Sequence, residues 1–497
     1  NLRSTDATDV IEQPELSQET EPEDGPIEVL AGQRRVILAE QLDGENGLYT
    51  IPLFATVTGT IDTDRLSAAL TSVVAAHPVL RSRLSIDDAG IINATLLSPE
   101  EALAQPIAVH QRTTTPGSLA TFLDELVRTP FPATSDQPLQ AYVVQVAEQG
   151  NNKDTASTVL ALLFHHAFFD EWSLQPFFTD LARAYDNADA LNTHSGPSFH
   201  RIHAIASTTN PADVDFWSLR QRDTAPGAPA PLPFSRAAAV SAGAAGTALG
   251  GRGPAIHRTV TIPAIAAASP DPTLKATAGD VVKAAVLLFL ERAGADPAVG
   301  IPVSGRHHPE LLDVVGYLGN TLPVTVDRAG DAAVSFNHDL DTRKLIEAVH
   351  HEVLDVAEHS SIPIEELSGT APFQVIVDHR VGAPQVPATA DWSSELLPMV
   401  PPLPKFPVTI VHTELPEVDG TTTHRIDVLF SGDYFEQRGA DAFVEALQHT
   451  IMGVAQAHAT PQGQSDVSTT LGAIALSPGT HSAQTHSTEP EMAGERG

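Results

Sequence analysis

The sequence predicts an α/β protein of the α+β type, built from two halves that each combine helices with a mixed sheet. Segments of strand-like alternation and segments of helical periodicity occur in both halves of the 497-residue chain. An Ala-, Gly- and Pro-rich stretch without sustained periodicity, residues 208–254, separates the two halves. This length also exceeds what one hydrophobic core organises. We therefore expect two α/β halves joined by a long crossing segment.

The first half, residues 27–207, follows an acidic segment, 1–26, that we interpret as a flexible linker. Its strand-like runs are residues 51–61, 140–148 and 157–164. The last run is apolar on both faces, which predicts a central strand. Helical spacing predicts helices over 62–84, with Asp62 or Thr63 as N-cap, and over 173–188, with Ser173 as N-cap.

The second half, residues 255–460, repeats the alternation of strands and helices, and residues 461–497 are expected to form an outgoing flexible linker. The predicted strands are residues 257–265, 299–305, 321–327, 373–379, 407–415 and 424–435. The predicted helices are residues 277–294, 341–359 and 439–458.

Composition narrows the classes of function. The 62 acidic and 28 basic side chains give a formal charge of −34, which repels a phosphate backbone and argues against a nucleic-acid partner. No apolar run approaches the roughly 20 residues that span a bilayer, so we expect no membrane partner. The chain contains no cysteine, which excludes disulfides, thiolate metal sites and cysteine nucleophiles and fits a cytoplasmic location.

Two adjacent histidines carry the candidate chemistry. His165 and His166 lie where the predicted central strand ends and a loop begins, and Asp170 follows four residues after the second histidine. A strand end holds side chains rigidly while a loop exposes them to substrate. Neighbouring strand residues point to opposite faces, so only one of the histidines can face a given cleft. Taken alone, the HHxxxD pattern is also compatible with solvated or structural histidines.

Two other histidine clusters are weaker candidates. His351, Asp355 and His359 share one face of a predicted helix, where a metal site is conceivable. A solvated helix face is the favoured interpretation, because no further ligand is evident. His307 and His308 are interpreted as a polar pair in a loop. We therefore predict no metal.

A series of motifs between Val29 and about Thr460 resembles the condensation domains of nonribosomal peptide synthetases, which are relatives of chloramphenicol acetyltransferase. The family's opening S-x-x-Q-x-R-x pattern is matched loosely, with Ala31 in place of the usual Ser. The other matching segments are residues 76–84 (RHExLRTRF), 165–171 (HHxxxDG), 300–306 (G-x-P-x-x-G-R), 315–323 (I-G-x-F-x-N-T-L-P), 359–367 (H-Q-x-x-P-F-E-x-L) and 405–409 (K-F-D-L-T).

The resemblance implies a V-shaped pseudo-dimer of two chloramphenicol acetyltransferase-like lobes, residues 27–207 and 255–460, with a central tunnel between them. Donor and acceptor peptidyl carrier proteins would dock at opposite mouths, each delivering a thioester on a phosphopantetheine arm. An adjacent adenylation domain is a further expected partner. The domain itself is expected to bind no cofactor.

The resemblance also assigns expected roles to individual residues. His166 would accept a hydrogen bond from the attacking amine and take its proton, while His165 would point the other way and support the fold. Asp170 would pair with Arg306 from the other lobe and brace the loop. Asn320 is a weaker catalytic candidate that would orient substrate or polarise the carbonyl. Trp172 and Phe168 are expected to pack rather than to take part in chemistry.

Two departures from the family pattern keep alternatives open. Glu171 stands where the family has glycine, and Pro407 stands where it has an acid. An Asp-Glu ending resembles that of related noncatalytic domains that recruit partner enzymes, although those usually lack the second histidine. An epimerisation domain would need a catalytic glutamate in the second lobe, where residues 319–323 follow the condensation pattern instead. A heterocyclisation domain would replace both histidines with aspartate.

Overall fold

A computed structural model describes thirteen stretches of the chain: residues 27–43, 47–147, 157–191, 196–222, 230–236, 255–262, 265, 276–325, 342–368, 373–382, 386–397, 404–417 and 419–459. Both predicted linkers, 1–26 and 461–497, lie outside these residues, as do residues 237–254 of the crossing segment. The domain boundaries therefore stay predictions. No described helix is long and apolar enough to cross a membrane.

The first half contains seven strands and the helices around them. The strands are β1 (Ile27–Glu28), β2 (Thr50–Gly59), β3 (Ser82–Ile86), β4 (Ile92–Leu96), β5 (Val109–Thr114), β6 (Leu139–Val146) and β7 (Ser157–His165). The helices are α1 (Ala31–Asp43), α2 (Thr63–Ala76), α3 (Pro99–Leu103), α4 (Leu119–Arg128), α5 (Leu174–Asp186) and α6 (Phe199–Ala206), and α7 (Pro211–Arg222) follows in the crossing segment.

The second half has the same mixed character. Its strands are β8 (Ala255–Ile262), β9 (Ala298–Val303), β10 (Asn320–Thr325), β11 (Val375–Val381), β12 (Trp392–Leu396), β13 (Val408–Pro416) and β14 (Thr422–Ser431). Its helices are α8 (Ala278–Arg292), α9 (Thr342–Glu358), α10 (Glu365–Ser368) and α11 (Gln437–Ala459).

One five-stranded sheet forms the centre of the first half, in the order β12-β2-β7-β6-β5. The middle strand is β7, as its apolar composition predicts, and it pairs antiparallel with both β2 and β6. The edge strand β12 comes from the second half and pairs with β2, with Trp392 opposite Gly59. Gly59 has φ +109° and lies against the Asp391 carbonyl, where a side chain would clash. The two halves are therefore joined by a shared sheet.

A six-stranded sheet forms the centre of the second half, in the order β10-β9-β11-β13-β14-β8. Helix α8 packs against it with residues 278–290 buried. This helix begins at Thr277, whose hydroxyl accepts the Asp280 N–H while the Asp280 carboxylate accepts the Thr277 N–H. The remaining strands form a small sheet in the order β1-β4-β3.

Two expectations about local structure are wrong. The helix predicted over 62–84 ends at Ala76, because Pro78 disfavours helical backbone at His77, and Ser82–Ile86 form β3 instead. Of the two predicted N-cap residues, Asp62 and Thr63, Asp62 is the one that caps this helix. Residues 211–222 of the crossing segment form a helix, α7, rather than irregular chain.

Ser173 is the N-cap residue of α5, as predicted, but its side chain makes no capping hydrogen bond to this helix. The capping side chain is that of Asp170, whose Oδ1 accepts the Ser173 N–H at 2.9 Å. A single 3₁₀ turn, Glu171–Ser173, then leads into α5. The aspartate of the motif therefore fixes the geometry of the loop from which the helix starts.

Candidate active site

The loop at the end of β7 is held by an aromatic cluster beneath it. Phe164 and Phe169 stack with their ring centroids 4.0 Å apart, and Phe177 of α5 meets both edge-on. Phe168 is buried, as expected for a packing residue, whereas Trp172 is 37% exposed and stands at the wall of a cavity. Such packing fixes the backbone of residues 165–170 without using their polar groups.

His165 points into the first half and has no free nitrogen. Its Nε2 lies 3.1 Å from Glu40 Oε1, and its Nδ1 accepts the Ala167 N–H at 3.1 Å. Only 1% of the residue is exposed. Glu40 also accepts the Ala133 N–H at 3.2 Å, so its carboxylate links α1 both to His165 at the strand end and to residue 133. The ring therefore supports the loop and presents no atom to a substrate.

His166 turns to the other side and is only partly buried. Its N–H donates to the Tyr49 carbonyl at 2.8 Å, and its Nδ1 lies 2.9 Å from the Phe169 carbonyl. A carbonyl only accepts, so Nδ1 carries the ring proton and Nε2 keeps a lone pair. The ring lies 4.3 Å from that of Tyr317, a residue of the second half. The free nitrogen of His166 is thus placed at the junction of the two halves.

The surroundings keep His166 neutral. Burial lowers its pKa well below 6.5, and the positive charge of Lys405 acts in the same direction. The hydrogen bond to the Phe169 carbonyl opposes these effects without outweighing them. A neutral imidazole with its Nε2 lone pair available can accept a proton at cellular pH.

Asp170 forms the ion pair with Arg306 that the resemblance implies. The pair is bidentate, with Arg306 Nη1 at 2.8 Å from Oδ2 and Nη2 at 2.9 Å from Oδ1, and both side chains are 3% exposed. The carboxylate also accepts the N–H groups of Ser173, Leu318 and Gly319 and the Ser173 hydroxyl. Arg306 donates further to the carbonyls of residues 304, 314 and 316. This network joins the loop after β7 to the second half.

Asn320 has its amide group engaged. Its Nδ2 donates to the Ile362 carbonyl at 2.7 Å, and its Oδ1 accepts the Thr321 N–H at 2.9 Å and Arg35 Nη1 at 3.4 Å. These bonds hold the start of β10. Its expected role in orienting substrate stays a prediction.

Four residues at the site were not identified from the sequence as site residues: Arg35, Glu40, Tyr317 and Lys405. Arg35 of α1 donates to the Tyr317 hydroxyl and to the Gly319 carbonyl, so it holds the ring that packs on His166. Lys405 Nζ lies 5.9 Å from the centre of the Tyr49 ring, and burial lowers its pKa to about 7. Arg35, Tyr317 and Lys405 lie in segments that match the family motifs, and this position in the motifs could have identified them as site residues.

The weaker histidine candidates have other contacts. His359 Nδ1 lies 3.0 Å from Asp213 of α7, and its ring stacks on Phe216. His308 accepts the Glu310 N–H and caps the turn that follows. Across the described ranges, no group of three or more His, Cys, Asp and Glu residues is placed to hold a metal ion.

Comparisons with known proteins agree with the motifs. The family model described as "Condensation domain" matches residues 24–470. The probable non-canonical nonribosomal peptide synthetase CymA of Salinispora arenicola is 28% identical over 393 residues, which cover 75% of this chain and 4% of that protein. The dimodular nonribosomal peptide synthase of Bacillus subtilis is 24% identical over 466 residues, which cover 88% of this chain and 18% of that protein. The chain thus spans less than a fifth of either relative.

Two solved structures share the fold. The X-domain from teicoplanin biosynthesis superposes with a TM-score of 0.72 at 19% identity, covering 90% of this chain and 98% of that one. The first condensation domain of the calcium-dependent antibiotic synthetase, in complex with a substrate analogue, superposes with a TM-score of 0.68 at 19% identity, covering 92% and 100%. The fold is that of these condensation-domain structures, and the expected pair of acetyltransferase-like lobes is consistent with it. The tunnel between the lobes stays a prediction.

Proposed function

Because this chain belongs to the condensation-domain family, we propose that it joins a donor acyl thioester to an acceptor aminoacyl thioester through an amide bond. The acceptor nitrogen attacks the donor carbonyl carbon, the carbon–sulfur bond breaks, and the donor pantetheine leaves as a thiol. The proton lost by the amine passes to His166 and then to the leaving thiolate. The observation that carries the proposal is the position of His166 Nε2 at the junction of the two halves, where it makes no hydrogen bond within the described ranges.

How much His166 contributes to the rate depends on the pKa of the attacking amine. An α-amino group has a pKa near 7.7–8.0 in model peptides, so a useful fraction is already neutral at cellular pH. Alignment of amine and carbonyl therefore supplies more of the acceleration than proton removal, and effective molarity can account for roughly 7–11 kcal/mol. His166 takes the proton only as the new bond forms, which requires it to be neutral beforehand.

The proposed substrates are bound to carrier proteins, so the reaction requires partners beside the condensation domain. We propose that donor and acceptor peptidyl carrier proteins bring them on phosphopantetheine arms, and that an adenylation domain loads the acceptor carrier. This is supported by the multidomain synthetases among the relatives, in which the matching segment is a small part of a longer chain.

A reconstitution assay tests the proposed reaction. The chain is incubated with a loaded donor carrier and a loaded acceptor carrier, and the carriers are weighed by intact-protein mass spectrometry. We expect the joined acyl chain on the acceptor carrier, and a loss of about 10²- to 10⁴-fold in rate for His166→Gln. The matched control is His351→Gln, which changes an exposed histidine of α9. An undiminished rate for His166→Gln would contradict the role of this residue.

A catalytically silent recruitment scaffold is the second candidate, favoured by Glu171. This residue replaces the motif glycine, and its Oε1 lies 3.2 Å from Arg380 Nε of the second half. Unchanged carriers in the assay, with the chain folded, would favour the scaffold. An unchanged mass with an inverted stereocentre, found by chiral analysis of the released acyl group, would instead indicate epimerisation.

A further inference from the structure

A cavity of about 520 Å³ lies between the start of α5 and a split in the second sheet. Strands β9 and β11 pair in parallel at only two positions, where residues 299 and 300 face residues 375 and 376. Beyond these positions the strands separate, β9 continuing with β10 and β11 with β13. The cavity occupies the gap between them, and Glu171, Trp172 and Gln175 of the first half line its opposite side.

Trp172 connects this cavity to the candidate active site. A methyl group placed on Gly319 would contact the Trp172 ring at 3.4 Å and the Tyr317 ring at 3.6 Å, so the two rings flank this glycine. The Tyr317 ring also packs on the His166 ring. The cavity wall at Trp172 is thus linked to the His166 ring through Gly319 and Tyr317, which places the cavity next to the candidate active site.

Lys283 is the unusual group in the cavity wall. It lies on α8, where most of the buried residues are apolar and Asp280 is the other buried charged residue, and its side chain is only 7% exposed. Its Nζ is 3.9 Å from Asp280 Oδ1, an ion-pair distance that is too long for a hydrogen bond, and within the described part of the chain Nζ donates no hydrogen bond. The hydrogen bonds from Thr277 and His350 go to the other oxygen, Asp280 Oδ2. The cavity wall thus contains an ammonium group that has a counterion nearby and three donors without an acceptor among the described residues.

The other charges in the wall nearly balance. Arg380 contacts Asp378 at 2.7 Å and Glu171 at 3.2 Å, so the cavity holds two acids beside the two cations Arg380 and Lys283. Above the pKa of Glu171, which is about 7, these charges cancel, so an additional full charge on a ligand would find no uncompensated counterion and would cost desolvation free energy. A neutral group that both accepts and donates hydrogen bonds fits better, because its oxygen can face Lys283 and its N–H groups can face the carboxylates.

We propose that this cavity is a specificity subsite that binds a carboxamide side chain of one of the two substrates, with Lys283 donating to the amide oxygen. The proposal rests on the proposed amide-forming function and adds a substrate class to it. Burial lowers the pKa of Lys283, while Asp280 and Asp378 act against that shift. The loss of a hydrogen bond from a charged donor corresponds to about 10- to 100-fold in selectivity.

Competition between side chains of similar length tests the subsite. Glutamine, glutamate, lysine and methionine are loaded in turn on the donor carrier and then on the acceptor carrier, and kcat/KM is measured for each. At one of the two positions we expect glutamine to exceed the other three by about 10- to 100-fold. Lys283→Met should reduce the glutamine value to that of methionine and leave the methionine value unchanged. Lys344→Met, a matched change of an exposed lysine on α9, should alter neither.

Two results would overturn the subsite. A glutamine preference that survives in Lys283→Met would show that another group recognises the amide. An equal loss for all four side chains would mean that Lys283 acts on a part common to every substrate, such as the amides of the pantetheine arm.

A binding measurement distinguishes failure of the proposed subsite from failure of the proposed function. Unreactive glutaminyl and methionyl aminopantetheine amides are titrated against the His166→Gln variant by calorimetry. Tighter binding of the glutaminyl compound, lost on adding Lys283→Met, supports the subsite even if no condensation occurs. Equal affinities of the two compounds would overturn the subsite even if condensation is observed.

Discussion

Asp170 and Glu171 are neighbours in the sequence, and each contacts an arginine of the second half in a different environment. Asp170 is 3% exposed and accepts six hydrogen bonds, two of them from Arg306. Glu171 has a side chain that is 36% exposed and lies 3.2 Å from Arg380, which Asp378 also contacts. Burial, with the nearby charges of Asp378 and Asp170, raises the pKa of Glu171 to about 7.

The difference indicates that a carboxylate removed from water is stabilised by the number of its hydrogen-bond donors as well as by its counterion. Backbone N–H groups, a hydroxyl and a guanidinium replace the water that Asp170 loses. Glu171 loses water as well but gains one shared arginine, so its protonated form becomes competitive near neutral pH. The motif aspartate is therefore a structural anchor, whereas the next position tolerates a substitution of the family's glycine.

The largest expected effect comes from removing the charge of Asp170. Asp170→Asn leaves the Arg306 guanidinium buried without its counterion, which should cost about 3–5 kcal/mol in the free energy of unfolding. The rate of condensation should fall as well, because the loop that carries His166 loses its anchor. Denaturant titration measures the first effect and the carrier assay measures the second.

A double variant separates charge from shape at the same position. Asp170→Asn combined with Arg306→Met removes both charges, so it should recover part of the stability lost by the single variant. A reduced rate for Asp170→Asn with unchanged stability would contradict the bracing role of this ion pair.

Local sequence patterns predicted most elements because burial on one face leaves a periodic trace. The centre of the first sheet was predictable from the apolar run of β7, and the N-cap Asp62 from its position before an apolar helix. The capping role of Asp170 was missed, since Ser173 satisfied the same local rule and only the coordinates show which oxygen accepts the N–H.

Contacts distant in sequence leave no periodic trace. Strand β12 joins the first sheet although it lies more than 300 residues from its partner β2. Arg35 and Tyr317, which together position the ring beside His166, are 282 residues apart. The pairing of Asp170 with Arg306 was predictable from the family resemblance alone, because nothing in either local sequence indicates the other.

A smaller effect should follow the charge of Glu171. The folded-state pKa of about 7 lies above the ordinary value of 4.5, so the folded chain binds more protons than the unfolded chain between these pH values. The stability that this group contributes is complete below about pH 4.5 and is lost as pH rises through 7. Glu171→Gln imitates the protonated form, so above pH 7 its melting temperature should exceed that of the parent by about 1–3 °C.

The advantage of Glu171→Gln should shrink as the pH falls toward 5, and scanning calorimetry from pH 5 to 9 measures it. The control is Glu366→Gln, which changes an exposed carboxylate and should give no such trend. A Glu171→Gln variant that is less stable than the parent at pH 8 would show that the contact with Arg380 outweighs desolvation.

The smallest effect concerns His166, where the same balance of burial against partners acts on a base. Its one compensating partner is the Phe169 carbonyl, and Lys405 adds a positive charge that lowers its pKa further. Lys405 has a pKa of about 7, so it carries its positive charge at the lower pH values at which His166 would take up a proton. Lys405→Met should therefore raise the pKa of His166, which should stay below 6.5 because burial is the larger cause.

Histidine NMR titration measures this pKa directly, and the acidic limb of the pH–rate profile should move toward higher pH by the same amount. Lys344→Met provides a control that removes a lysine far from the loop and leaves burial at the site unchanged. An unaltered His166 titration in Lys405→Met would mean that desolvation alone keeps the imidazole neutral. In that case His166 would resemble Glu171: its neutral form would be favoured because the group loses water without gaining enough hydrogen bonds in return, and the charge of Lys405 would not matter.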